Sequence, residues 1–112
     1  MSEDITKQLL ELPGQIASIA GIVCDTQIEK GNTEARIEEI KVAVSFQVGT
    51  NIDLKNDTAR RAAIADMLSQ NVAYTALLES QKATHLKLEH ARIDYQKHRD
   101  VLNALIAIAG VK

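Results

Sequence analysis

Apolar residues recur at alternating steps of three and four through nearly the whole chain, and the repeat is interrupted once, between Gly49 and Asp57. Positions on one face of an α-helix return at those steps, because 3.6 residues complete a turn. In the first half the series is Ile5, Leu9, Leu12, Ile16, Ile19, Val23, Thr26, Lys30, Thr33, Ile37, Ile40 and Val44; nine of the twelve are apolar, and the three exceptions sit together in the middle. In the second half the same register reads Ile64, Met67, Asn71, Tyr74, Leu78, Gln81, His85, Leu88, Arg92, Tyr95, Arg99, Leu102, Ile106 and Ala109, again apolar at both ends and mixed between them. Both segments far exceed the roughly 11–12 residues of a mean globular helix, which points to a hairpin with coiled-coil packing.

The expected architecture is therefore all-α: one domain over residues 1–112 built as a long antiparallel helical hairpin. One arm spans about 2–48, the reversal 49–57, and the other arm about 57–109. Ser2 is a candidate N-cap, with Glu3 and Asp4 in the first turn where carboxylates meet exposed amides and the helix dipole. Pro13 removes a backbone donor inside the periodic run and is expected to kink or split the first arm. Gly31-Asn32 is a second weak point, since glycine costs about 1 kcal/mol relative to alanine in a helix interior. Breaks are accordingly expected near 13 and 31, the second as a bend because the seam continues in phase. Residues 40–48 carry a competing strand signature, with Ile40, Val42, Val44, Phe46 and Val48 alternating. No turn signal precedes them and a lone strand has no partner within the chain, so helix is the preferred reading. The reversal is rich in residues that accept turn geometry, and Asn56 or Asp57 is placed to cap the second arm, with Gly110 ending it.

Composition sharpens this. Hydrophobic residues make up 46% of the chain but aromatics only 3%, with no Trp, so the core is aliphatic and alanine-based. The net charge of -2 offers no global attraction to nucleic acid. Through Val48 there are eight acidic and four basic residues; from Asp57 onward there are six and eight, so the arms carry opposite excess charge. The single cysteine, Cys24, excludes an intramolecular disulfide. With no signal-peptide pattern at the first residues, a cytoplasmic location is expected. The most apolar stretches, Gly14 to Cys24 and Val101 to Val111, are eleven residues each, against the ~20 needed to cross a bilayer. No membrane partner is expected.

Candidate chemistry is sparse. His90, Asp94 and His98 fall one turn apart, but neither a catalytic zinc signature nor the paired Glu-x-x-His of bundle di-metal sites accompanies them. They read as a solvated face. His85, Arg92 and Arg99 fall in the seam register and are expected at its edge, where they extend their heads to water and fix register. Cys24 has no neighbouring histidine or basic cluster to activate it. No enzyme and no cofactor are expected. Arg60 and Arg61, just inside the last helix, are the candidate anion contacts of an alternative reading.

More apolar surface is present than one seam can hide. Ala17, Ala20, Gly21, Cys24, Ile28, Gly31 and Ala35 form a second stripe of mostly small residues on the first arm, and small residues let another helix approach closely. Leu102, Leu105, Ile106 and Ile108 belong to a closing stretch that is apolar almost all round. One partner arm covers one face only. The expected partner is therefore the chain itself, as a dimer or higher oligomer forming a bundle of four or more helices, with Ala17, Gly21, Ile28, Leu102, Leu105, Ile106 and Ile108 at the interface. Another helical protein is a second candidate partner.

The stretch Leu54-Lys-Asn-Asp-Thr-Ala-Arg-Arg-Ala-Ala63, with Tyr74 and the closing run Tyr95 to Leu105, resembles small helical proteins encoded by bacteriophages and prophages, over about half the chain. The resemblance implies a polar turn ending in Asn, with an arginine four residues on, that starts a long C-terminal helix; Asn56 and Arg60 are the matching pair. Those proteins are mostly of unknown role, near phage recombination or counter-defence genes, and no catalytic residue is carried over. Function is thus expected to be interaction or assembly. The alternative is a phage accessory protein binding nucleic acid or a phosphorylated small ligand.

Overall fold

Asn56 fixes where the second arm begins. Its backbone is extended and its Oδ1 accepts a hydrogen bond from the Ala59 amide at 2.7 Å, satisfying a donor that the first helical turn leaves open. The computed structural model describes residues 3–51 and 53–110. Their regular structure is entirely helical: α1 over Glu3–Gly49, α2 over Asp57–Gln70 and α3 over Val72–Gly110. The cap expected at Ser2 lies outside the described residues.

α1 is a single element of 47 residues that continues through Pro13 and Gly31, so the first arm is not split at either. Pro13 is exposed, so its ring meets no packed neighbour, while Leu12 beside it is buried and Ile16 half-buried in the same seam. Burial in phase on both sides outweighs the lost backbone bond, as tertiary context commonly outweighs propensity. Gly31 is likewise exposed between Lys30 and Thr33, both in the seam. Residues 40–48 are helical, and their alternation is overridden by the 3-4 series that ends in Val44 and Val48, both buried.

The second arm is two helices, not one. α2 stops at Gln70, and Asn71 leaves the helical region with ψ 109. The Asn71 amide closes α2 by donating to the Leu68 carbonyl, while its Oδ1 accepts from the Tyr74 amide at 2.9 Å and opens α3. One asparagine thus ends one helix and caps the next, a role its short acceptor side chain suits.

The chain divides into two compact units. In the first, residues 3–28 of α1 pack with residues 85–110 of α3. Leu12 shares a cleft with Asp94, Lys97, His98 and Val101, whereas Ala20 and Val23 share one with Arg92, Tyr95 and Gln96. Numbers rise along one helix as they fall along the other, so the pair is antiparallel. Leu12, Ile19, Thr26, Leu88, Ala91 and Leu105 are buried there, Leu88 to 1% exposure. In the second unit, residues 29–49 of α1 join α2 and residues 72–84 of α3. Its buried residues are Thr33, Ile37, Val44, Val48 and Thr84. α2 contributes none that is fully buried.

Every member of the α1 series from Ile5 to Val44 is buried or half-buried, including Thr26, Lys30 and Thr33. Thr33 Oγ1 donates to the Glu29 carbonyl at 3.0 Å. Among the described residues no buried side-chain nitrogen or oxygen lacks a hydrogen-bond partner, so the polar middle of the seam carries no desolvation debt.

On α3 the seam differs from the expected one. It runs through Tyr74, Leu77, Leu78, Gln81, Thr84, Leu88, Ala91, Tyr95, His98, Leu102, Leu105 and Ala109. His85, Arg92, Arg99 and Ile106 are exposed, and the residues immediately before them take the seam. Setting Ala91 and His98 inward in place of Arg92 and Arg99 avoids desolvating two guanidinium groups. His98, expected on the solvated face, is a seam residue with its ring partly covered.

Candidate interaction surface

The reversal uses its polar residues on itself. Asn51 Oδ1 accepts from the Asp53 amide at 3.0 Å, and the Leu54 amide donates to the Asn51 carbonyl at 3.2 Å. From the first turn of α2, Arg60 Nε donates to the Leu54 carbonyl at 3.1 Å, and its Nη1 lies 3.6 Å from Asp57 Oδ1. Asn56 and Arg60 therefore fix the α2 end of the turn. Arg61 is exposed. Of the two candidate anion contacts, one is engaged by its own loop.

His90, Asp94 and His98 do not converge. His98 Nδ1 lies 2.8 Å from the Asp94 carbonyl and 3.2 Å from Asp94 Oδ1, and His85 Nε2 lies 3.0 Å from Glu89 Oε1. These are pairs along one helix. Among the described residues no group of three or more His, Cys, Asp or Glu is arranged to hold a metal ion. The ion pair between Lys7 and Glu11, at 3.9 Å, also stays on one helix and is exposed, so it contributes little to stability. Arg99 caps the rim of the seam, with Nη1 donating to Tyr95 Oη at 3.2 Å and its guanidinium 5.8 Å from the ring centroid.

The second unit has an open cleft of about 470 Å³ lined by Arg36, Glu39, Ile40, Ala73, Ala76, Leu77 and Ser80. It is a groove between helices, with one cation and one carboxylate at its rim. Phe46 and Val42 are exposed on the same unit, Phe46 to 73%.

The first unit presents the larger unpartnered apolar surface. Leu10, Ile22, Ile28, Leu86, Ile93, Val101, Ile106 and Ile108 are all exposed outside its seam. Of the expected interface residues, Ala17, Gly21, Ile28, Ile106 and Ile108 are exposed, whereas Leu102 is half-buried and Leu105 buried against the chain's own helices. A Cβ built on Gly14 or Gly21 meets nothing within 4 Å, and neither residue has a positive φ. The fold of one chain therefore has no use for glycine at these places. Cys24 is exposed on the same stripe. Sequence reasoning missed Leu10 and Ile22 as surface residues; reading the 3-4 seam one residue to either side picks out such positions.

No helix among the described residues is long and apolar enough to cross a membrane. Compared with known proteins, the chain matches no family model, no curated sequence and no solved structure.

Proposed function

We propose that this chain is a non-enzymatic interaction or assembly protein that works as a homo-oligomeric helical bundle. The observation that supports the reading is the first unit's exposed apolar surface, above all Ile106 and Ile108 beside a seam already filled by Leu102, Leu105 and Ala109. Exposed large apolar side chains beyond those one chain covers favour association. Burying a large aliphatic side chain is worth about 1.5–3 kcal/mol, so a few such residues covered on each copy offset much of the entropy of association. A phage origin and a cytoplasmic setting belong to the same proposal; the first rests on the resemblance carried by Leu54 to Ala63, Tyr74 and the run Tyr95 to Leu105.

The alternative, binding of nucleic acid or a phosphorylated ligand through Arg60 and Arg61, has less behind it, because the Arg60 guanidinium already serves Leu54 and Asp57.

Light scattering at micromolar concentration tests the proposal. The wild-type chain is expected to have a mass that is a multiple of one chain, and Ile106→Glu/Ile108→Glu to lower it. These positions are exposed, so helicity by circular dichroism is expected to be retained. A wild-type monomer overturns the reading.

A further inference from the structure

The two helices of the first unit each carry a row of residues directly opposite their own seam, and the rows match one another. Gly14 lies two residues from both Leu12 and Ile16, about 200° of rotation either way, so it faces away from α3. Lys7 and Gly21 hold the same place between Ile5 and Leu9 and between Ile19 and Val23. On α3 that place falls to Leu86, between Thr84 and Leu88, to Ile93, between Ala91 and Tyr95, and to Asp100, between His98 and Leu102. All six are exposed, Leu86 to 55% and Ile93 to 54%.

We propose that these rows are the two halves of a head-to-tail contact between copies of this chain, resting on the reading of the chain as a homo-oligomer. Laid antiparallel, the rows bring Leu86 of one copy onto Gly21 of the next, Ile93 onto Gly14, and Asp100 onto Lys7. Two large aliphatic side chains one heptad apart meet two open glycines one heptad apart, and the third layer pairs opposite charges. Glu11 and Lys97, both exposed and on the same flank of their rows, then face one another. The close approach that glycine permits gives those residues a use that no contact inside the chain supplies. The next step along would set Glu79 against Ile28, which ends the matched stretch at three layers.

The contact is heterologous: each copy gives one surface and takes another, so assembly continues past a dimer to a ring or an open array. That separates it from a symmetric dimer through the α1 stripe. Gly21→Leu blocks one half and Leu86→Asp the other. Wild type is expected to sediment as species larger than a dimer, each variant alone as a smaller species with unchanged helicity, and their equimolar mixture as a species larger than either variant alone but smaller than wild type. A Gly21→Leu chain that assembles like wild type, or a mixture no larger than the variants alone, overturns this contact while leaving self-association through another surface standing. Charge reversal gives a second readout: Lys97→Glu is expected to weaken assembly and Lys97→Glu/Glu11→Lys to restore it, and no recovery counts against the register. A monomeric wild type removes both this contact and the homo-oligomer reading on which it rests.

Discussion

Leu88 is the residue on which the first unit's packing leans hardest, being exposed to only 1% where the α3 seam meets α1. Leu88→Ala leaves a cavity as well as removing transferred methylenes, and is expected to cost about 2–5 kcal/mol in urea unfolding. Arg60 is the corresponding residue in the reversal. Arg60→Ala removes one charge-assisted bond to the Leu54 carbonyl and one partly exposed pair with Asp57, an expected loss of about 1–2 kcal/mol. If Arg60→Ala instead left stability unchanged and abolished a salt-dependent shift with DNA, the anion-binding alternative would gain what the clamp lost. At this scale the sequence was legible wherever one choice of seam was apolar: all twelve α1 positions are covered. On α3 two neighbouring columns competed. Spacing alone favours the one containing Arg92 and Arg99, whereas the cost of burying guanidinium groups favours Ala91 and His98 beside them.

The helices themselves were readable from periodicity, but their ends were set by single polar side chains that periodicity ignores. Asn71 fits the apolar register as a tolerated polar position, and only its acceptor geometry, toward the Tyr74 amide, reveals a boundary between α2 and α3. Asn71→Ala is expected to cost about 1 kcal/mol through the lost cap, and hydrogen exchange is expected to rise first at Tyr74 and Thr75. Glycine works the other way. Gly31 interrupts propensity without interrupting α1, since the seam residues on either side hold the helix in phase. An added Cβ there meets nothing within 4 Å, so Gly31→Ala is expected to raise thermal stability by up to about 1 kcal/mol, read as an increase in melting temperature. A decrease would mean that a neighbour from another copy approaches that position closely.

At the scale of the molecule, the repeat describes more surface than one chain covers. α1 uses Leu9 to Val44 against its own α3 and α2, and still presents Leu10, Gly14, Gly21 and Ile28 to solvent; α3 does the same with Leu86, Ile93, Ile106 and Ile108. That surplus could be counted in the sequence, because an apolar stripe on a second helical face is a matter of spacing. Which stripe faces which could not, since the pairing of rows depends on the seam each helix chooses, and the α3 seam was shifted by one residue at four positions. Leu105 illustrates the consequence: buried in the chain's own seam, it reports on folding when mutated, whereas Ile108 reports on association. Sedimentation velocity of the wild-type chain across a range of micromolar concentrations tests the central claim most directly. The account predicts a mass that exceeds one chain and grows with concentration; a single species with the mass of one chain throughout would contradict it.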